Sequence, residues 1–265
     1  GEGHIPRARV GPRAAWSQPQ FAVETRAEGR HVTPMAQTLE ASVAVPPLWP
    51  GDHLSREEFH RRYLAMPKGT RAELIDGVVY FPWQGRSPSA TPLSRDMPSP
   101  ISLEHSRPHS LLLRWLSRYE DADPTVEVLP PSTILLDFDK ELQPDALMRV
   151  LPEHGGQTVE EGLYLRGAPE FIAEVTRSSA DYDLFEKKDA YAAHGTREFV
   201  CLLVKTGEVR WFSANSSGQF EEVPADTDGL HRSRHFPGLW LDGPALLRHD
   251  RAAVSAALTA GLAGR

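Results

Sequence analysis

Residues 171 to 204 run FIAEV, then DYDLFEKKDAYAAHG, then REFVCLLV: a short apolar run, a charged helical segment closed by Gly195 in the C-cap position, and a second apolar run. TVEVLPPSTILLDF and PDALMRVL precede them as further β-rich runs, and EVRWFSA follows after a Lys205-Thr206-Gly207 turn. Strands broken in this order by helices leave few architectures open. The order argues for an α/β domain whose mixed central sheet is covered by helices.

Local signals extend the reading upstream. SREEFHRRYLAM carries Ser55 three residues before Glu58, a capping box, and Phe59, Tyr63 and Met66 recur at helical spacing. AELIDGVVYFP places two apolar runs around Asp76-Gly77, the dipeptide suited to the positive φ angles of a tight hairpin. Residues 84–100 are rich in Ser and Pro and are expected to form a loop. PHSLLLRWLSRYE sets Leu111, Leu112, Trp115, Leu116 and Tyr119 on one helical face; Pro108 predicts that this helix begins near Arg107, with His105 outside it. At the other end, PALLRHDRAAVSAALTAGLAGR predicts an Ala-rich terminal helix that covers the domain.

Residues 1–50, rich in Arg, Pro, Ala and Gln without a sustained apolar period, are expected to be a disordered amino-terminal arm, with Met35 an alternative start; residues 51–250 form the domain and 251–265 continue it as the terminal helix. The 265 residues, 40% hydrophobic and 25% charged, have the composition of a soluble globular protein. A formal net charge of −7 gives no global attraction to nucleic acid or acidic membranes, so a polyanion would need a local basic patch. The single cysteine, Cys201, sits in FVCLLV, where a buried inert thiol and a reducing cytoplasm fit best. No basic-then-apolar leader opens the chain, and no apolar stretch approaches the roughly 20 residues that span a bilayer, so neither export nor membrane insertion is expected.

Three acids interrupt apolar strands: Glu73 in AELI, Asp145 in PDALMRV and Glu174 in FIAEV. A carboxylate in a low-dielectric interior is neutralised or needs a cation, and several on neighbouring strands repel unless an ion lies among them. Mg²⁺, which prefers hard oxygen donors and keeps several waters, is the economical partner, and it could activate a water against a phosphodiester. The competing reading has each acid facing solvent from a strand edge.

Lys187 adds a compact ammonium that could orient a nucleophile, and Asp183, Lys187 and Tyr191 share a face by their spacing, while Lys188 lies about 100° away around the helix. A solvated Asp–Lys surface pair is the plain alternative. His105 and His109 in HSRPH have the spacing of a zinc pair, but Pro108 and the lack of further ligands argue against one; a phosphate contact at the helix start, with Arg107, suits them better. Phosphate-loop, dinucleotide-binding and nucleophile-elbow motifs are all missing, which removes the corresponding chemistries.

The succession ELIDG (73–77), HSRPH opening a helix, QPDALMRV (143–150), APEFIAEVTRSSADYDLFEKKDAY (168–191), REFVCLLV and FPGLWLD (236–242) resembles the Uma-two family of restriction endonucleases, placed in the PD-(D/E)XK nuclease superfamily. The likeness covers about residues 52–250. It implies a restriction-endonuclease-like mixed β-sheet core flanked by helices, and cleavage of DNA phosphodiester bonds with Mg²⁺ or Mn²⁺. Carried over by position, Asp145 and Glu174 become metal ligands together with the carbonyl of Val175, and Glu73 becomes a third acid. The lysine that often follows the second acid by two residues is replaced by Thr176; the frame D-L-x-x-K-x-x-x-Y supplies Lys187 instead, matched by Asp183, Leu184, Lys187 and Tyr191.

DNA is then the expected partner, gripped by Arg107, Arg114, Arg118, Arg149 and Arg177 along one side of a cleft, and cutting of both strands would favour a homodimer. The rival is a catalytically inactive module of the same fold that binds nucleic acid or a protein partner. Hydrolysis of another phosphate ester is a third reading.

Overall fold

The computed structural model describes residues 45–82, 102–176 and 183–265. The arm expected over residues 1–50 lies outside the described residues up to position 44, and so do the loop expected at 84–100 and Arg177.

Ser55 caps α1 (Arg56–Leu64), its hydroxyl accepting from the N–H of Glu58 at 3.3 Å. The reciprocal half of the capping box is not made, because Arg61 and Arg62 hold the Glu58 carboxylate at 2.7 Å. Phe59 buries the inner face of the helix against Leu48, Ala72, Leu74, Val79 and Phe81. The hairpin forms as expected: β1 (Glu73–Ile75) and β2 (Val78–Tyr80) pair antiparallel, with φ of 51° at Asp76 and 72° at Gly77 in the turn.

The second helix departs from expectation. α2 runs Leu103–Glu120, so Pro108 lies inside it and His105 is helical. Ser102 supplies the cap, accepting from the His105 N–H at 3.4 Å. Pro108 removes only one bond in the first two turns, and burial of its ring offsets part of that cost.

The helix-covered mixed sheet expected is present, and another six-stranded sheet, which was not expected, is added to it. TVEVLPPSTILLDF yields two strands, β3 (Val126–Leu129) and β4 (Ile134–Asp137), which the Pro130-Pro131 break sends to different sheets. Three strands of three residues each, β5 (Lys140–Leu142), β7 (Val159–Glu161) and β8 (Tyr164–Arg166), complete the first sheet in the order β2-β1-β5-β4-β8-β7. The second sheet adds β6 (Ala146–Val150), β9 (Phe171–Thr176), β10 (Glu198–Leu203), β11 (Glu208–Ala214) and β12 (Phe220–Glu222), in the order β12-β11-β10-β9-β6-β3. It is mixed, with β9 and β10 parallel and the remaining pairs antiparallel.

Strand alternation then decides what faces what. From β9, Phe171, Ala173 and Val175 join Leu112, Trp115 and Leu116 of α2 in one core. Ile172 faces the other way, with Leu147, Phe199 and Cys201, into a second core shared with Ile75, Ile134 and Leu142 of the first sheet. Glu174 therefore points between the sheets. Cys201 is buried and free, as expected.

A π-helical turn over Asp183–Lys187 leads into α3 (Lys188–Ala193), which ends before Gly195 at φ 91°. Beyond the small pair β13 (His231–Arg232) and β14 (Trp240–Leu241), the single terminal helix expected is two: α4 (Gly243–Leu247) and α5 (Arg251–Ala263). His249, at φ 61°, breaks the helix, and Asp250 restarts it by accepting from the N–H groups of Ala252 and Ala253. Among the described residues no helix is long and apolar enough to cross a membrane.

Candidate active site

The chain passes from the first sheet to the second through Gln143, Pro144 and Asp145, and the buried carboxylates gather at this crossing. Antiparallel pairing of β6 with β9 ends at Ala146 opposite Ala173, so one step further the register sets Asp145 opposite Glu174. Glu73 enters from β1, on the inner face that also carries Ile75. All three acids are buried, which excludes the solvent-facing alternative.

Lys187 is the ammonium among them. Its Nζ lies 2.8 Å from Glu174 Oε1 and 3.0 Å from Glu73 Oε1, and the side chain is buried. Tyr191, one turn on, donates its hydroxyl to the same Glu174 oxygen at 3.3 Å. Lys188 points elsewhere, over the ring of Phe212 and toward Asp189. The shared face expected for positions 187 and 191 is therefore present, whereas the side chain of Asp183 lies outside the described residues. Glu73 also accepts from the N–H of Gln143 at 2.9 Å, which ties the first sheet to the crossing.

Asp145 is held by a different set. Its Oδ2 accepts from the Val175 N–H at 2.9 Å and lies 3.4 Å from His105 Nε2; its Oδ1 accepts from Arg71 at 3.1 Å. Burial alone would raise the pKa of this carboxyl, but the His105 contact, the Arg71 charge and the Val175 N–H together hold it well below the usual carboxylate range. Burial likewise works against the Arg71 charge, and the surrounding Asp145, Glu73 and Glu174 outweigh it. Asp145 and Arg71 are both ionised.

His109 donates from Nε2 to the backbone carbonyl of Asp145 at 2.8 Å, beside His105 at a ring separation of 5.7 Å. Both Nε2 atoms are thus turned to Asp145, and among the described residues no group of three His, Cys, Asp or Glu converges to hold a metal ion. The hard oxygen donors of Asp145 and Glu174 suit Mg²⁺ by their chemistry. Among the described residues, Arg71 lies against Asp145, and Lys187 against both Glu174 and Glu73.

Arg71 is the residue that the sequence reading missed. The signal was its position two residues before Glu73, which in an extended chain places both on one face. The basic cleft wall also needs correction. Arg149 is buried in ion pairs with Glu127 and Glu160, its cross-strand and neighbouring partners, and Arg118 donates to Ser255 and Thr259 on α5. Arg107 and Arg114 remain exposed on α2. On the far face of the first sheet a further buried acid, Glu141, is paired with His60 at 2.9 Å and belongs to the α1 packing.

Comparison with known proteins agrees with this architecture. The profile of a family described as "Uma2: Putative restriction endonuclease" matches residues 56–244. No curated protein matches the chain. Among solved structures, a protein from Anabaena variabilis titled a putative nuclease belonging to DUF820 superposes with a TM-score of 0.50 at 16% identity, over 71% of this chain and 97% of that one. At that identity the likeness speaks for the fold.

Proposed function

Since the chain belongs to the Uma2 family, we propose that it is a nuclease, and more narrowly a metal-dependent endonuclease that hydrolyses DNA phosphodiester bonds with Mg²⁺ or Mn²⁺. The observation that carries this reading is Lys187 Nζ held at 2.8 Å and 3.0 Å between Glu174 and Glu73, beside an Asp145 that the sheet register sets opposite Glu174.

Asp145 and Glu174, with the carbonyl of Val175, are the oxygen donors that would hold the ion. When bound, Mg²⁺ would supply positive charge against the phosphate oxygens and acidify a nearby water. Lys187, flanked by two carboxylates, would serve as a positioning and charge-stabilising group. Glu73 fixes that ammonium and, through the Gln143 N–H, fixes the crossing on which Asp145 stands. Tyr191 restrains the Glu174 carboxylate through its hydroxyl. His109 anchors the backbone of Asp145 to α2.

Purified protein incubated with plasmid and linear DNA in Mg²⁺ or Mn²⁺, beside Asp145→Ala, Glu174→Ala and Lys187→Ala, tests the proposal. Wild-type cleavage lost in each variant is the expected result. Equal cleavage in all of them, or none in wild type, would sink it. One observation favours the rival, an inactive module of the same fold: Asp145, Glu174 and Glu73 each already face a cationic side chain.

A further inference from the structure

Five charged side chains meet at the crossing between the sheets, and they differ sharply in accessibility. Glu73, Glu174, Lys187 and Asp145 are 0%, 3%, 3% and 5% exposed, while Arg71 is 35% exposed. Arg71 is thus the member of the site that reaches solvent. Its hold is also narrow, since a single guanidinium nitrogen donates both to the Gln143 carbonyl at 2.9 Å and to Asp145 Oδ1 at 3.1 Å. The other two nitrogens have no hydrogen-bond partner among the described residues.

Asp145 divides its two oxygens accordingly. Oδ2 is fixed by a backbone N–H of β9 and by His105 on α2, both set by rigid elements. Oδ1 is held by one long, part-exposed side chain. A cation that takes Oδ1 at about 2.0–2.1 Å meets the repulsion of that guanidinium, and the side chain can withdraw without any movement of backbone. A guanidinium with two unused donor nitrogens matches the paired oxygens of a phosphate.

We infer that Arg71 is the resident counter-ion of this site: it balances Asp145 until a divalent cation takes Oδ1, and then turns its guanidinium to the phosphate of the substrate. The inference rests on the nuclease reading above. It assigns Arg71 a purpose that a plain clamp between Gln143 and Asp145 lacks, namely exchange.

The test is calorimetric titration of Mn²⁺ alone into wild type, Arg71→Ala and Arg71→Gln, the last keeping a donor for the Gln143 carbonyl should the alanine variant fold poorly. Removing the competing charge should tighten Mn²⁺ binding by about tenfold. In a second arm, anisotropy of a labelled DNA duplex at saturating Ca²⁺ should show binding weakened by about tenfold in the same variants. Mn²⁺ affinity unchanged or weakened in folded variants, with wild type binding the ion, overturns the counter-ion role while leaving the nuclease reading in place. No Mn²⁺ binding by wild type or by either variant removes the metal from both. Tighter Mn²⁺ with unchanged duplex affinity overturns the phosphate contact.

Discussion

Lys187 donates to Glu174 across 2.8 Å, in an ion pair whose two side chains are each only 3% exposed. Such a pair gains its attraction in a poorly screened interior and loses the hydration of both ions, so its worth shows when one partner is removed. Lys187→Met leaves Glu174 and Glu73 without this ammonium and is expected to cost about 3–5 kcal/mol in urea denaturation. The double variant Lys187→Met/Glu174→Gln should recover at least about 1 kcal/mol of that loss. Additive losses in the double variant would show that the two side chains are not energetically coupled.

Glu198, at the start of β10, gives a pH dependence of definite sign. Burial pushes its carboxyl up from 4.5 to about 7, against the Ser233 hydroxyl and the N–H groups of Arg234 and His235, which favour the charged form. The folded protein therefore holds this proton more tightly than the unfolded chain. The contribution is fully present below pH 4.5 and is lost as the pH rises through about 7. Glu198→Gln, which cannot ionise, should flatten the fall in unfolding free energy over that window, an effect on the order of 3 kcal/mol in denaturation series from pH 4.5 to 8. The same slope in wild type and variant would place the titration elsewhere.

Gly261 lies inside α5, where alanine would ordinarily favour the helix by about 1 kcal/mol. Here a Cβ would meet the Gly238 carbonyl oxygen at 2.3 Å and Trp240 Cγ at 2.7 Å. The close approach of α5 to the β14 region requires the missing side chain, so Gly261→Ala should destabilise by about 1–3 kcal/mol. A rise in melting temperature on this substitution would show that the helix is not seated as described.

How legible these features were depended on how local they are. The Asp76-Gly77 hairpin and the Ser55 cap are written in adjacent residues and were read correctly. The turn of the helix separates Lys187 from Lys188 but does not choose between them; the family resemblance pointed to Lys187, and the structure buries the first and leaves the second partly exposed. The two-sheet arrangement was not legible, because β5, β7 and β8 are three residues long and show no alternation to count. Pro108 misled because a helix start is decided by the cap as well as by the proline, and Ser102 was not weighed as one. Arg71 was passed over because its partner, Asp145, lies 74 positions away in sequence.

Thr176 provides the sharpest test of how Lys187 acts. It follows Glu174 by two residues on β9, so its side chain leaves the strand on the same face, and it is buried. A lysine there starts from the strand, whereas Lys187 reaches the same carboxylate from the helix side. If the site needs an ammonium near Glu174 and not that particular helix residue, the requirement can be met from either element. Lys187→Ala should lower DNA cleavage by about 10²–10³-fold. Adding Thr176→Lys to it should restore about tenfold or more, with a partial return of melting temperature as an ammonium is again placed beside the buried carboxylates. Recovered stability without recovered cleavage would confine Lys187 to charge balance, and recovery of neither would mean that the ammonium acts only from its helical position.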